Sequence, residues 1–236
     1  MRGLARPGEA WHGTARLGPA WRGAARFNFG TREENKMMLD LEIEVTGITP
    51  LICNRFTDEA AEAASAGSRG SSAGKDRGTP LEIAQSKLYI GLDGKPMIPQ
   101  PNLLRCLVEG GRFHKIGRAQ ITTKTSSLLF ACLMIEAAEI PIIHSQPWKV
   151  DTRAVRIPAT GGRILAHRPM FDDWKLRFEA KLDVSIVGLK LFRLIVDDAG
   201  SRVGLGDYRP SSKGPYGRHC VTLWAEKQIE LQEAAE

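Results

Sequence analysis

The eleven residues from Trp174 to Val184, WKLRFEAKLDV, alternate strictly between apolar and polar side chains. Successive side chains of a strand point to opposite faces of a sheet, so this period of two predicts a long strand with one buried face. Its apolar face would carry Trp174, Leu176, Phe178, Ala180, Leu182 and Val184. The chain must therefore build a sheet that is covered on one side and meets water on the other.

Other patterns predict the elements around this strand. Leu39 to Thr46 alternates in the same way and predicts a first strand. Asn102 is a candidate N-cap for a helix that ends at Gly110 and Gly111, and a second helical stripe runs from Leu189 to Val196 and stops at Gly200. Ala154 to Phe171 predicts two short strands around a Thr-Gly-Gly turn, and Arg218 to Trp224 predicts the last strand.

The order of these elements is strand, helix, strands, long strand, helix, strand. It predicts an α+β fold of the ferredoxin-like type, β-α-β-β-α-β, with an antiparallel sheet and both helices on one face. The first strand would then lie beside the long one, with acidic Asp40, Glu42 and Glu44 near basic Lys175, Arg177 and Lys181. Such a face is charge-balanced and has no exposed aromatic side chains, so nucleic acid is expected to bind elsewhere.

The chain divides into three parts by composition. Residues 1–37 repeat a five-residue unit close to x-G-x-A-[RW], which fits neither helix nor strand period, and they are expected to be a disordered or spurious N-terminal extension. The repeat is either a basic arm for nucleic acid or a tail translated ahead of a start at Met37 or Met38. Residues 38–225 form the folded domain, with insertions at 57–80 and 114–150, and residues 226–236 form an acidic tail.

The net charge of +6 is concentrated outside the predicted domain. The first 36 residues hold seven Lys and Arg against three Glu, and the rest of the chain carries only +2, so any basic binding surface must be local. No apolar run approaches the roughly 18 residues of a membrane span and no signal peptide is apparent, so we expect a cytoplasmic protein without a membrane partner. The four cysteines lack C-x-x-C spacing, which favours buried thiols and predicts neither metal nor cofactor.

The segment GLGDYRPSSKGPYGRH, Gly204 to His219, combines four glycines with three basic residues. Glycine lets backbone N–H groups approach a ligand closely, and such groups beside Arg and Lys suit phosphate. The segment matches neither a Walker loop nor a dinucleotide fingerprint. A plain connection to the last strand, with glycines used only for turning, is the alternative.

Two motifs resemble the repeat-associated mysterious protein (RAMP) superfamily of CRISPR effector and processing proteins. VGLGDYRPSSKGPYGR resembles its C-terminal glycine-rich loop, although the gap between the second and third glycines is longer, and MIPQPNLLRCLVEGGRF resembles the start of its first helix. The resemblance implies a ferredoxin-like RNA-recognition fold, a loop that contacts RNA, and self-association or a multi-subunit complex. G-x-G-D-[YW]-R-P followed by G-P-[YF]-G-R also resembles uncharacterised phage and prophage proteins, which implies a viral gene in a bacterial host cell.

We therefore expect a non-catalytic subunit that binds single-stranded RNA or DNA. The expected binding residues are Gly204, Gly206, Tyr208, Arg209, Lys213, Gly214, Tyr216, Gly217 and Arg218 of the loop, with Arg156, Arg163 and Arg168 lining the same groove. Tyr208 and Tyr216 either stack on bases or anchor the loop by packing. A phage assembly protein that uses the fold for protein contacts is one alternative. A metal-independent RNA endonuclease is another, and His114 and His167 are its candidate catalytic residues.

Overall fold

The structure is a computed structural model that describes residues 38–57, 61, 62, 65, 78–156 and 161–227. The predictions for residues 1–37, for most of the insertion at 57–80 and for the end of the acidic tail lie outside these ranges. The described residues all belong to one compact unit, Lys36–Glu236. Within them, no helix is long and apolar enough to cross a membrane.

Eleven strands and four α-helices are described in chain order. They are β1 (Met38–Gly47), β2 (Leu51–Ile52), α1 (Pro80–Ser86), β3 (Met97–Pro99), α2 (Gln100–Gly110), β4 (Lys115–Ile116), β5 (Ala119–Gln120), α3 (Leu129–Cys132), β6 (Leu133–Ile135), β7 (Glu139–Pro141), β8 (Lys149–Arg156), β9 (Arg163–Phe171), β10 (Lys175–Asp183), α4 (Leu189–Asp198) and β11 (His219–Lys227). Short 3-10 turns occupy Gly111–Phe113 and Pro210–Ser212, and a π-helical turn occupies Ala199–Val203.

The main sheet has the order β11-β1-β10-β6, and every neighbouring pair is antiparallel. With α2 between β1 and β6, and α4 between β10 and β11, this is the ferredoxin-like α+β arrangement that the sequence predicts. The apolar faces of β1 and β10 are buried with α2 and α4 in one core. The two helices approach closely at Gly110, where a Cβ would lie 2.7 Å from the carbonyl oxygen of Ile195.

The second strand of the ferredoxin-like unit is not the one that the sequence predicts. It is β6, a strand of only three residues that lies within the predicted insertion at 114–150. It follows α3 without a break. The predicted strands at 154–171 do form, as β8 and β9, but they join β2 in a separate sheet of order β2-β9-β8. A strand as short as β6, within a continuous apolar run, shows no alternation by which it could be recognised.

The helix ends also differ from the prediction. The α2 helix starts at Gln100, so the prediction of Asn102 as its N-cap is wrong. Pro101 lies in its first turn, where a missing N–H costs nothing and the fixed φ suits a helix. At the other helix, the α-helical part, α4, ends at Asp198. The chain then continues as a π-helical turn through Gly200, and Gly204, with φ +76°, ends the helical segment.

The open face of the main sheet carries the paired charges that the sequence predicts. Arg177 Nη2 lies 2.7 Å from Glu42 Oε1, and Lys175 Nζ lies 3.6 Å from Glu44 Oε1. Lys181 instead pairs with Glu136, the residue after β6, at 2.6 Å. These charges are satisfied across the strands, so this face offers little uncompensated charge to an anion.

Candidate nucleic-acid interface

The glycine-rich loop, Gly204 to Arg218, folds back on itself and on β2. A Cβ at Gly214 would lie 1.7 Å from the carbonyl oxygen of Tyr208, and one at Gly217, where φ is +70°, would lie 1.8 Å from the carbonyl oxygen of Leu205. Any side chain at either position would therefore overlap the backbone. Gly204 and Gly206 pack in the same way, against Pro210 and the carbonyl of Ile52. The four glycines serve the packing of the loop.

Most loop amides donate within the protein. The N–H of Gly217 donates to Pro50 at 2.8 Å, and that of Asp207 donates to Ile52 at 2.7 Å, which ties the loop to the segment around β2. The N–H groups of Gly206, Arg209 and Ser211 donate to no group in the described ranges. They are the three loop amides that remain for a ligand, fewer than a cradle of clustered amides would offer.

Arg168 is buried and does not line a surface groove, contrary to the prediction. Its side chain is 6% exposed, with Nη1 2.7 Å from Asp207 Oδ2 and Nη2 3.2 Å from Asp151 Oδ2. Asp207 also accepts from Asn54 Nδ2 at 3.1 Å and from the Tyr208 N–H at 2.8 Å. Arg168 therefore clamps the loop to strands β8 and β9.

The two loop tyrosines form an aromatic pair beside an arginine that the sequence did not single out. Their ring centroids are 6.0 Å apart at an angle of 43°. Arg153 Cζ lies 4.5 Å from the centroid of Tyr216, and its Nη2 donates to the hydroxyl of the same tyrosine. Tyr216 is thereby a packing anchor, whereas Tyr208 is 39% exposed and keeps part of its ring accessible.

A cleft of about 220 Å³ lies between the loop and α2. Its α2 wall is formed by Asn102, Arg105 and Cys106, its loop wall by Gly204 to Asp207 and Arg209, and the remainder by Cys53, Asn54, Tyr89 and Ile98. The predicted loop thus faces the start of the predicted first helix. The cleft combines an apolar interior with amide and guanidinium groups, which is the usual composition of a specific ligand site.

Arg209 is held in this cleft by neutral acceptors. Its Nη1 donates to the carbonyl oxygen of Gly206 at 2.9 Å, and its Nε donates to Ser211 Oγ at 2.8 Å. No carboxylate in the described part of the chain pairs with it. Arg105, on the opposite wall, pairs with Glu109 at 2.9 Å and is largely exposed. The positive charge of Arg209 is therefore positioned but not neutralised.

The two thiols of the cleft are structural. Burial raises the pKa values of Cys53 and Cys106 to about 12, so both remain protonated at neutral pH. Cys106 Sγ donates to the carbonyl oxygen of Gly204 at 3.3 Å and lies 3.6 Å from that of Ala199. It thereby links α2 to the start of the loop. Cys132 is also buried, but Cys220 is exposed, so the prediction of buried thiols is wrong for Cys220.

Arg156 and Arg163 lie directly opposite each other at the end of the β8–β9 hairpin. Both are exposed, and neither pairs with a carboxylate among the described residues. Side chains alternate along a strand, so this pair lies on the face opposite to that of Arg153 and Arg168. The single groove predicted for Arg156, Arg163 and Arg168 is thus split between two faces of the hairpin.

The remaining predicted residues lie away from the cleft walls. The Arg218 guanidinium donates to the carbonyl oxygen of Ser201, and its N–H donates to Thr49 Oγ1 at 2.9 Å. Lys213 is exposed, in the left-handed conformation that ends the 3-10 turn.

His114 Nε2 lies 3.0 Å from Asp198 Oδ2 but outside hydrogen-bond geometry, and His167 Nδ1 lies 2.9 Å from Thr152 Oγ1. Neither histidine lines the cleft.

Sequence reasoning missed four residues that shape this site: Asn54, Tyr89, Arg105 and Arg153. Arg105 stands within the motif PNLLRC that indicated the first helix, so its place on the exposed side of that helix was available as a signal. Asn54 and Tyr89 reach the cleft from connections that carry no motif. No group of three His, Cys, Asp or Glu side chains within the described ranges is placed to hold a metal ion.

Comparison with solved structures found chains of similar fold. No family model matches the chain, and no curated protein matches it. A chain from the cryo-EM structure of the Type III-B Cmr-beta complex bound to cognate target RNA superposes with a TM-score of 0.49 and 11% identity. The match covers 81% of this chain and 61% of that one, so the chain spans about three fifths of the length of this neighbour.

Proposed function

We propose that this protein is a non-catalytic, RAMP-type subunit that binds single-stranded RNA, or single-stranded DNA, in the cleft between its glycine-rich loop and α2. The observation that carries the proposal is Arg209. Its guanidinium is fixed by two neutral acceptors at the cleft and has no described carboxylate partner. A positioned, uncompensated guanidinium is suited to phosphate, which it can bind through two parallel hydrogen bonds.

The shape of the cleft favours a single strand over a duplex. About 220 Å³ lies below the usual size of ligand pockets, so the cleft can take a base or a phosphate of a single strand but not a helix. Asn54 and Asn102 offer amide groups that can hydrogen-bond a base edge, and Tyr89 offers a ring on which a base can stack. Unstacked bases with accessible edges occur in single strands, which is where RNA-binding proteins usually read sequence.

The chemistry of the cleft supports binding without cleavage. Its lining has no histidine, and its single carboxylate, Asp207, is paired with Arg168 at 2.7 Å. Its two thiols stay protonated because burial raises both pKa values to about 12. A general base must be free to accept a proton from its substrate, whereas Asp207 is held by Arg168 and both thiols are protonated. Side-by-side assembly along the strand, as the RAMP resemblance implies, belongs to this proposal.

Fluorescence anisotropy with labelled single-stranded RNA, single-stranded DNA and duplex DNA across a salt series tests the proposal. We expect single strands to bind with a steep salt dependence, and Arg105→Ala with Arg209→Ala to lower the log–log slope by about two, one for each lost phosphate contact. Lys95→Ala with Lys190→Ala removes the same charge from exposed sites outside the cleft and should leave the slope nearly unchanged.

Two results would contradict the proposal. Absence of binding to all three nucleic acids would favour the assembly-protein alternative, in which the loop only packs. Equal losses in the Arg105/Arg209 and Lys95/Lys190 variants would mean that net charge, rather than the cleft, drives the interaction. Hydrolysis of RNA that His114→Ala or His167→Ala abolishes would instead support an endonuclease.

A further inference from the structure

The segment between Glu109 and Glu136 carries only positive charge and lies outside the lining of the cleft. It contains Arg112, Lys115, Arg118 and Lys124, and it contains no Asp or Glu. These four side chains are exposed, and none forms an ion pair with another described residue. Basic side chains without counter-charges repel one another, so a stretch of this kind is typical of a surface that meets an anion.

The same segment forms a groove beside α2, called here the Arg112 groove. It is lined by Arg105, Arg112, Thr123, Lys124, Ser126 and Phe130, among others, and Arg112 and Lys124 also line the depression next to it. The carboxylate at the groove, Glu109, already pairs with Arg105 at 2.9 Å. Phe130 is 62% exposed and offers an aromatic surface beside the cations. Cations interleaved with an accessible aromatic ring are the usual features of a single-strand binding surface.

The wall of the groove is rigid. Thr122 Oγ1 and Ser127 Oγ are 2.7 Å apart, and Thr123 Oγ1 accepts the N–H of Ser126 at 3.1 Å. This turn lies directly on Gly111, where a Cβ would come within 2.5 Å of Thr122 Oγ1. The backbone that carries Lys124 is therefore fixed relative to α2, and little conformational freedom would be lost when a ligand binds.

Arg105 joins the Arg112 groove to the cleft, because its side chain lines both. Asn102, Arg105, Glu109 and Arg112 follow one another at helical spacing, so they mark one exposed side of α2 and its last turn. A strand whose phosphate meets Arg209 and Arg105 is thereby directed along this side of the helix towards Arg112 and Lys124.

We propose that the Arg112 groove is a second contact site for the same single strand, which leaves the cleft over Arg105 and continues past Arg112, Lys124 and Phe130. This inference rests on the proposed function and gives the strand a direction and a footprint longer than one nucleotide. A short oligonucleotide fills the cleft alone, whereas a longer one also reaches the groove.

Binding of uridylates of about 2 and about 16 nucleotides tests the inference, because the cleft admits no more than about one nucleotide and only the longer strand can continue past Arg105 into the groove. We expect the unchanged protein to bind the longer one more tightly and with a steeper salt dependence. Arg112→Ala with Lys124→Ala should leave affinity for the short oligonucleotide within about twofold and lower the log–log slope for the long one by about two. Both side chains are exposed and unpaired with described residues, so the fold should tolerate the change.

The control is Lys95→Ala with Lys190→Ala, which removes two positive charges outside both sites and should leave the length dependence intact. If Arg112→Ala with Lys124→Ala changes neither length, or both equally, the groove is not a continuation of the path and the inference is wrong, while the proposed function stands. If the unchanged protein binds neither oligonucleotide, both the inference and the proposed function fail.

Discussion

The guanidinium of Arg168 joins Asp207 of the glycine-rich loop to Asp151 of β8, at 2.7 and 3.2 Å. The arginine and Asp151 are almost fully buried, and Arg153 Nε lies 2.6 Å from the other carboxylate oxygen of Asp151. Loss of Arg168 would leave this buried carboxylate with one cation in place of two and would remove the attachment of the loop to the β8–β9 hairpin.

Arg168→Ala is therefore expected to lower the free energy of unfolding by about 3 kcal/mol, the low end of the usual cost of breaking a buried pair from one side, because Arg153 still contacts Asp151. Urea denaturation followed by circular dichroism measures it. Arg163 lies on the same strand, and its side chain is exposed. Arg163→Ala should therefore change the free energy of unfolding by less than about 0.5 kcal/mol. Equal stability of the two variants would mean that the pair contributes no more than a surface contact.

A second prediction concerns His219, whose ring is buried against Trp174 with centroids 5.7 Å apart. Burial lowers its pKa from 6.5 to about 4, because the charged imidazole would lose its hydration. Below pH 6.5 the unfolded chain binds a proton that the folded chain does not, so stability falls as the pH drops towards 4. The loss across this window is about 3 kcal/mol.

His219→Gln should flatten the fall in stability between pH 6.5 and 4 by most of that amount. His167→Gln replaces a half-buried histidine bonded to Thr152 and serves as the matched control. Denaturation midpoints measured at intervals from pH 4 to 7 give the slope. A His219→Gln profile parallel to that of the unchanged protein would show that other groups govern the acid range.

Thiol reactivity gives a third prediction. Burial raises the pKa values of Cys53 and Cys106 to about 12 and that of Cys132 to about 11, whereas Cys220 is exposed. Since the thiolate is the reactive form, a disulfide reagent at neutral pH should modify one thiol of the folded protein and four after denaturation. Cys220→Ser should leave none in the folded state. Rapid reaction of a second thiol would contradict the burial of Cys53, Cys106 or Cys132.

The elements that the sequence predicted are those whose periodicity extends over many residues. Strands β1 and β10 each show a period of two over about nine residues, and their charged faces pair across the sheet as expected. Strand β6 could not be recognised, because three apolar residues after an apolar helical turn have no period. The sequence prediction placed β8 and β9 in the main sheet instead, because both show the alternation of a strand. They belong to a different sheet.

The different environments of the arginines around the candidate site were not predictable from residue type. Arg168 and Arg209 are the same residue type, and nothing in the sequence separates their roles. The fold places Asp151 and Asp207 beside Arg168, whereas Arg209 has only neutral acceptors. One distinction was available. Arg163 and Arg168 are an odd number of residues apart on one strand, so a period of two already places them on opposite faces.

Tyr208 provides the last prediction, because it separates the packing role of the loop from its proposed binding role. Tyr208 is 39% exposed, and its ring pairs with Tyr216, whose hydroxyl is already bonded to Arg153. If a base stacks on the exposed part, Tyr208→Ala should weaken single-strand binding by about 1 to 3 kcal/mol, and Tyr208→Phe should retain most of the affinity because the ring remains. Anisotropy titrations with the same RNA, together with denaturation of each variant, give both quantities. A Tyr208→Ala variant that loses stability but keeps its affinity would assign the ring to packing alone.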